Sequence, residues 1–401
     1  MSISKKQLIA LFICSLVPWI AGNGLIPLLP VYAAQLGASP AVSGAYLAIS
    51  YIAIALGALS AGPVSGKLGR LKLPLIVATS IGIPAAWLMG RVTSVWGLTV
   101  LTAFLWFFGG MGLVLIGILT GLSAGVHERG KIFGVMGLAG GLGALIGGMG
   151  VGWLVNRWGY PTMFSVVAVF LLIGPLSALF TTEKECRPAR VINTPAKPAP
   201  GAGRGFYLLF SSTILTSMAG FFVVLIRSIL MDDLKFSPLE ISITGAIGGL
   251  VAMPFPFIMG WFSDRVGRKK MIFTGYLTSL FAMITLAVAK ELWQFGLAVG
   301  LIGISTGTNN IGNALVNDLV PKESLGKSMS IYGSAAWIGG IAGFALAGVA
   351  LQYLGLVPTL VLGGCMVVAS VALITQIKTG PRKIQQPAST KYECDETTLD
   401  D

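Results

Sequence analysis

Charge is what this sequence has least of. Only 10% of its 401 residues are charged, and Asp and Glu together number 15. A soluble domain of this size needs a polar coat, which a chain that is 55% hydrophobic does not have. The composition therefore excludes a water-soluble globular protein. It favours a helical protein that crosses a membrane many times, in which the 54 glycines let helices approach closely.

Histidine and cysteine are also scarce, which limits the chemistry. The one histidine, His127, leaves little room for metal binding or acid–base catalysis. The four cysteines, Cys14, Cys186, Cys365 and Cys394, are too widely spaced to form a metal or redox motif. The sequence has no HExxH motif, no phosphate-binding loop and no evident nucleophile–base pair. We therefore expect no enzyme, no cofactor and no metal site.

Long apolar runs fill most of the chain. A helix needs about 20 apolar residues to cross the hydrocarbon core of a membrane. Twelve runs meet this length, at residues 7–33, 41–63, 73–91, 96–124, 131–154, 161–181, 206–232, 239–262, 270–290, 292–319, 328–352 and 356–377. They are too long and alternate too little for barrel strands. The predicted fold class is all-α, with twelve transmembrane helices.

The basic residues are concentrated on one side of these runs. With the N-terminus inside, 22 Lys and Arg residues fall in inner segments, and the outer side holds only Arg91, Arg157, Arg227, Lys235 and Lys290. Basic residues favour the cytoplasmic side, so we expect a multi-pass protein of the cell membrane with both termini in the cytoplasm. Because the bases fall in short loops between apolar runs and form no basic stripe or patch interleaved with aromatics, the net charge of +12 does not indicate a nucleic-acid partner.

The two halves of the chain repeat each other. The pair Ser39–Pro40 recurs at Ser237–Pro238, at an offset of 198, and the glycines of the fifth run recur in the eleventh at an offset of 196. The pattern predicts pseudo-symmetric six-helix bundles at 1–181 and 206–378, a cytoplasmic linker at 182–205 and a disordered tail at 379–401. A site between two repeated bundles is typical of a transporter, and such a protein is complete as a monomer.

One polar stretch stands out, and it carries a resemblance. The segment GWFSDRVGRKK resembles the G-x-L-A-D-R-x-G-R-K signature of the major facilitator superfamily through Gly260, Asp264, Arg265, Gly267, Arg268 and Lys269. The first copy, GPVSGKLGRLK, keeps Gly62, Gly69 and Arg70 but has Gly66 in place of the acid. LIPLLPVY, residues 25–32, resembles the end of the first helix in the drug–proton antiporter branch. The likeness covers about residues 6–380.

The resemblance implies secondary transport by alternating access, and export of small amphipathic or hydrophobic molecules coupled to protons. Gly260 and Gly267 would allow a tight cytoplasmic turn close under its neighbours. Asp264, held by Arg265 and Arg268, would face the positive N-terminus of the fifth helix and latch the inner gate. Because Gly66 replaces the acid in the first copy, we expect an asymmetric gate. The alternative is that the basic run only anchors a loop.

In this family helices 1, 4, 7 and 10 line the substrate cavity. The polar and aromatic candidates on those helices are Trp19, Asn23, Trp106, Phe107, Met111, Thr216, Arg227, Thr306, Asn309, Asn310, Asn313 and Asn317. Asn309, Asn313 and Asn317 are spaced at i, i+4 and i+8 and so share one helix face. For Arg227 the alternative is that it reaches the outer surface or pairs with a neighbouring acid.

Proton coupling would need a carboxylate in or near a membrane span. The candidates are Asp232, Asp233 and Asp318. The antiporter branch has an arginine in helix 4 where this chain has Trp106, which puts antiport in question. An uncoupled facilitator or importer of a polar metabolite and a lipid or glycolipid flippase therefore remain alternatives. A membrane receptor or assembly factor without transport is the alternative from a different class.

Overall fold

The computed structural model describes residues 4–124, 128–182, 203–321 and 324–377, and within these ranges the chain forms helices and no strand. The helices are α1 (Lys5–Leu25), α2 (Leu29–Gln35), α3 (Pro40–Leu68), α4 (Lys72–Met89), α5 (Val95–Ser123), α6 (Arg129–Leu171), α7 (Ile173–Leu179), α8 (Arg204–Asp233), α9 (Pro238–Ala252), α10 (Phe255–Val266), α11 (Arg268–Ala287), α12 (Leu292–Thr306), α13 (Thr308–Leu319), α14 (Leu325–Leu354) and α15 (Leu356–Thr375). His127, most of the predicted linker (183–202) and the predicted tail (379–401) lie outside the described residues.

The helices account for twelve membrane passages. Ten helical segments of the described chain are long and apolar enough to cross a membrane, and one of them, Lys131–Leu179, contains 49 residues. That segment holds two passages, because its helix is broken by a kink at Gly159, where φ is 76° and ψ is 173°. The broken helix formed by α12 and α13, with only Gly307 between its parts, is the remaining passage. The all-α fold class is confirmed.

The repeated Ser-Pro pair marks the start of equivalent helices. Ser39 caps α3 by accepting a hydrogen bond from the backbone N–H of Val42, and Ser237 caps α9. The proline after each serine occupies the first helical turn, where its missing N–H is not needed. At α9 the cap is completed by Glu240, whose side chain reaches back to the backbone of Ser237. The repeat in the sequence is therefore a repeated helix start.

The repeated glycines pack α6 and α14 against the first helix of their own half. A Cβ atom on Gly143 would lie 2.6 Å from Cβ of Trp19, and one on Gly339 would lie 2.5 Å from Cβ of Ser217. Real Cβ atoms do not approach this closely, so each position requires glycine. The two glycines are 196 residues apart and their two partners 198 apart, which are the offsets found in the sequence. The structure thus repeats the same helix contact in both halves.

A second set of glycines joins the two halves to each other. A Cβ atom on Gly148 would lie 2.8 Å from Cβ of Ala246 on α9, and one on Gly152 would lie 2.5 Å from Cβ of Ser242. The equivalent contact in the other pair of helices brings Gly348 of α14 against Gly44 of α3, with a Cβ on either glycine 2.9 Å from Cα of the other. The glycines of α6 therefore pack closely against α9, and the contact of α3 with α14 is its symmetric counterpart.

The bundle has two distinct ends. At the motif end, which carries the GWFSDRVGRKK loop, Lys72 Nζ donates to the carbonyl of Leu179 at 2.7 Å, and Lys269 Nζ donates to that of Thr375 at 2.6 Å. At the far end the halves meet, and the backbone N–H of Ala41 donates to Oε1 of Gln352 at 3.1 Å. The halves are thus held together at the far end.

We expect Gly148→Val to destabilise the protein by about 1–3 kcal/mol, because the new side chain would overlap the backbone of α9. Gly150→Val is the matched control, since a Cβ at Gly150 meets no atom within 4 Å and the helix-propensity change is the same. Thermal unfolding of the purified proteins in detergent would measure the difference. Equal midpoints for the two variants would contradict the close contact between the halves.

Candidate substrate cavity

A cavity of about 790 Å³ lies between the two halves. Helices α1, α3 and α6 line it from the first half, and α8, α9, α10, α12 and α13 line it from the second. Its wall extends towards the motif end as far as Phe133, near the start of α6, and Phe257 of α10, both of which are exposed. At the far end the contact of Gly152 with Ser242 separates it from the surface. The cavity is therefore reached from the motif end and closed at the far end.

The wall of this main cavity is mostly apolar, with a few polar groups. Asn23 donates through Nδ2 to the carbonyl of Gly140 at 3.1 Å, and Thr306 and Asn310 lie on the opposite side. Among the described residues that line the cavity, Arg227 is the only charged one. A largely apolar cavity of this size with few polar groups is typical of a site for a small organic molecule.

An apolar side cavity of about 490 Å³ extends into the first half. Its wall includes the aromatic rings of Trp106, Phe108 and Trp337. It shares Trp19 and Tyr51 with the main cavity, so the two spaces are adjacent. The aromatic lining suits a flat or bulky hydrocarbon group.

A smaller side cavity of about 300 Å³ extends into the second half and is lined by hydroxyl groups. The hydroxyls of Tyr276 and Thr213 lie 3.4 Å apart, and Ser279 Oγ donates to Ser305 Oγ at 2.7 Å. The side cavity shares Thr306 with the main cavity. The two halves thus offer different chemistry to one ligand, apolar on one side and hydrogen-bonding on the other.

The ring of Tyr51 lines both the main cavity and the apolar side cavity. Its centroid is 5.0 Å from that of Phe221, 5.0 Å from that of Phe344 and 5.5 Å from that of Trp106. Sequence reasoning missed Tyr51, because it looked for cavity residues on helices 1, 4, 7 and 10 and Tyr51 is on α3. The ring fits here because Gly340 opposite has no side chain; a Cβ there would lie 3.1 Å from the ring. No motif marks such a contact between distant helices.

Most of the candidate residues from the sequence line one of the three cavities. The main cavity is lined by Trp19, Asn23, Arg227, Thr306 and Asn310, the apolar side cavity by Trp106, and the hydroxyl-lined side cavity by Thr216 and Asn309. Helix α13 begins at Thr308, after the break at Gly307. Of the three asparagines that share one helix face, Asn309, Asn313 and Asn317, only Asn309 lines a cavity.

Four candidates line none of the three cavities, namely Phe107, Met111, Asn313 and Asn317. Asn317 is exposed near the motif end and donates to the carbonyl of Asn313 at 3.0 Å. The backbone of Phe107 packs against Gly57 of α3, and Met111 is buried in a separate apolar cluster. The apolar runs and the family resemblance placed these residues on helices that line the cavities. They could not show which face of α5 or α13 turns away from the cavity.

Arg227 is almost fully buried, at 2% exposure. Its Nη2 donates to Oγ of Ser228 at 3.3 Å, and its buried Nε has no hydrogen-bond partner in the described chain. No ion pair joins it to Asp232 or Asp233 among the described residues; Asp232 is half-buried at the end of α8 and Asp233 is exposed. The alternative that Arg227 reaches the outer surface or pairs with these acids is therefore wrong for this structure.

The glycines of the two signature copies differ in their roles. Gly267 has φ of 107° and Gly69 has φ of 61°, so both occupy turn conformations that favour glycine. Gly260 and Gly62 lie inside helices, and a Cβ on either would meet no atom within 4 Å. The expectation that Gly260 brings the turn close under its neighbours is therefore not met here.

The bases of the second signature bind within their own half. Arg268 forms an ion pair with Asp318 at 2.6 Å and also donates to the carbonyl of Ala314, which attaches the loop to α13. The guanidinium of Arg265 lies over the ring of Trp261, 3.7 Å from its centroid. The contacts described for these two arginines are thus to Asp318, Ala314 and Trp261. Asp318 lies at the motif end, outside the described cavities.

The fold and cavity define a polytopic transport protein, and comparison with known proteins gives its family. The sequence pattern of the Major Facilitator Superfamily matches residues 11–211 and 205–392. The chain belongs to this superfamily and is a multi-pass membrane transporter, not an enzyme.

Relatives and solved structures agree with this assignment. The chain is 25% identical over 316 residues to the multidrug resistance protein MdtG of Citrobacter koseri, covering 76% of this chain and 77% of the relative. It is 24% identical over 321 residues to MdtG of Escherichia coli, covering 76% and 77%.

The solved structures share the fold at lower identity. A bacterial homologue of the human lysosomal transporter Spinster, inward-facing and occupied, gives a TM-score of 0.75 at 14% identity, covering 93% of this chain and 97% of that one. A mutant of the nucleoside transporter NupG gives 0.75 at 16% identity, covering 92% and 98%.

We expect Lys269→Met to lower stability by about 1 kcal/mol, because it removes charged hydrogen bonds to the carbonyls of Thr375 and Ile377 at the end of α15. Lys270→Met is the matched control, since the side chain of Lys270 is exposed and no hydrogen bond from it is seen in the described chain. Thermal unfolding in detergent would compare the two. If Lys270→Met were the more damaging change, the anchoring role of Lys269 would be refuted.

Proposed function

We propose that this transporter exports small amphipathic molecules across the bacterial inner membrane by alternating access between its two halves. The observation that carries the proposal is the composite cavity. One side is aromatic and apolar around Trp106 and Tyr51, and the other is lined by hydroxyls around Thr213 and Tyr276. A molecule with an apolar and a polar part would match both sides at once.

The energetics favour such a substrate over a wholly polar one. Burying apolar surface yields about 25 cal/mol per Å², so the aromatic side alone can hold a hydrocarbon group. A polar metabolite placed there would lose its hydrogen bonds to water without replacement. The hydroxyls of the second half supply such bonds only on their own side of the cavity.

The direction of transport is inferred from orientation and from relatives. The excess of basic residues supports a cytoplasmic motif end, and the cavity is reached from that end. An exporter loads its substrate from this side. The relatives carry the name multidrug resistance protein, which supports export by this chain as well.

Alternating access requires the contacts at the two ends to exchange. In the present conformation the glycine contacts of Gly148 and Gly152 with α9 close the far end. The complementary state would bring the motif end together. We assign the closing contact there to Asp264 and the start of α6, whose N–H groups carry partial positive charge.

For proton coupling we propose Asp232. It is half-buried at the end of the helix that carries Arg227, whereas Asp233 is exposed and Asp318 is ion-paired with Arg268.

A second candidate function, uncoupled facilitation, is favoured by one observation. None of the described residues that line the cavities is a carboxylate.

The two functions predict different results in liposomes that carry a pH gradient and an internal pH dye. We expect amphipathic substrate to collapse the gradient with the wild-type protein. Asp232→Asn should abolish proton flux, while Asp233→Asn and Asp318→Asn, as matched controls, should retain most of it. Substrate equilibration without proton flux would establish a facilitator. No substrate movement by any variant or by the wild type would refute transport of this substrate class.

A further inference from the structure

The buried Arg227 lacks a counter-charge in the structure. Its side chain is among the largest that are fully buried, and the described chain gives it one hydrogen bond, to Ser228, and no ion pair. Arginine stays protonated in proteins and carries five N–H donors. Most of its hydrogen-bonding capacity is therefore unused in this conformation.

An uncompensated charge within a membrane span is costly. Removing a single ion from water costs several kcal/mol even after the protein relaxes. Such residues line wet cavities or functional sites when they have no protein partner. A purely packing role for Arg227 would be served better by an apolar residue of similar volume, which would carry no such cost.

Arg227 lies in the wall of the main cavity. It lines the main cavity together with Pro27 of the turn after α1 and Gly245 of α9. A Cβ on Gly245 would lie 3.8 Å from Nη1 of Arg227 and 2.9 Å from Cγ of Pro27. Gly245 therefore packs closely against Pro27 and lies within van der Waals distance of the guanidinium. The guanidinium thus lies in the wall of a cavity that helices of both halves enclose.

The cavity wall contains no carboxylate among its described residues that could neutralise Arg227. Among its described lining residues there is no acid, and Asn23, Thr306 and Asn310 are neutral. A hydrophobic cation entering the cavity would meet only the positive charge of Arg227. An anion would meet a partly desolvated guanidinium, whose fork geometry fits an oxyanion with two parallel hydrogen bonds.

We infer that Arg227 binds the oxyanion group of an amphipathic substrate, a carboxylate or phosphate on an apolar body, while the apolar body occupies the aromatic side cavity. This inference rests on the proposed export function and names its substrate class. The same chemistry could come from a soluble amphipathic anion or from the headgroup of an anionic lipid. Either would neutralise Arg227 while bound.

The test uses three probes with one shared apolar body and different charge. Biphenyl-4-carboxylate, biphenyl-4-carboxamide and biphenyl-4-methylammonium would be titrated into the purified full-length protein in detergent. We expect the carboxylate to bind at least tenfold more tightly than the other two. This comparison is made on the wild-type chain and does not depend on any variant folding.

The variants test whether Arg227 is the cause. Arg227→Gln should weaken carboxylate binding roughly ten- to a hundredfold, the range for a lost hydrogen-bonded charge, and leave carboxamide binding unchanged. Arg227→Lys, which keeps the charge but not the fork, should give an intermediate loss. Arg91→Gln is the matched control, because Arg91 is exposed at the far end over the ring of Trp87. Gel filtration would confirm that each variant is folded.

A lipid arm separates the two sources of the anion. Dihexanoylphosphatidylglycerol would be titrated into the wild type and Arg227→Gln under the same conditions. Arginine-dependent binding of this lipid without binding of the carboxylate would support the inference with a lipid headgroup as the ligand. Equal affinity of the wild type for all three biphenyl probes, together with lipid binding that ignores Arg227, would overturn it. Failure of the three probes and the lipid to bind would also overturn it.

Transport in liposomes distinguishes this inference from the proposed function. Movement of the ammonium or carboxamide probe without preference for the carboxylate would overturn the anion site and leave export standing. Arginine-dependent carboxylate binding with no movement of any probe would contradict export and leave the anion site standing.

Discussion

Contact between glycine-bearing helices of the two halves is the constraint on which the rest of the structure depends. Where α6 meets α9 and α3 meets α14, there is no room for a side chain on Gly148, Gly152 or Gly44. Within lipid there is no hydrophobic force to press apolar helices together, so close van der Waals packing of small residues holds the halves. These contacts close the far end, and they leave the space towards the motif end that becomes the cavity. Small contact areas of this kind can also slide or separate, as alternating access requires.

The two halves share one backbone plan but have diverged in their chemistry. The same glycine and cap positions recur at offsets of 198 and 196. Lys72 donates to a carbonyl at the end of α7, and Lys269 makes the equivalent bond at the end of α15. Yet the side cavity of the first half is aromatic, and that of the second is lined by hydroxyls. The signature bases follow the same asymmetry, because the second loop is tied to α13 by the Arg268–Asp318 pair. A symmetric frame thus carries an asymmetric site.

Arg227 carries a buried charge in the wall of the cavity that the two halves enclose. A charge buried in a membrane span persists only where function uses it or a partner neutralises it. In this chain the described residues give Arg227 one hydrogen bond, to Ser228, and no ion pair, and its side chain lines the main cavity. The scarcity of acids in the sequence, which first identified a membrane protein, also means that few side chains are available to neutralise this arginine. The substrate itself is therefore the natural counter-ion.

Sequence alone determined the features that depend on local composition. Apolar run length fixed the twelve passages, Ser-Pro pairs fixed helix starts, and the GWFSDRVGRKK signature indicated the family, because each is a property of consecutive residues. Tertiary structure decided which faces meet. It turned Met111 and Asn317 away from the cavity, brought Tyr51 into it through the space at Gly340, and buried Arg227 without an acid. Helical periodicity places residues on a common face, but only the packing of twelve helices shows whether that face meets lipid, a neighbouring helix or the cavity.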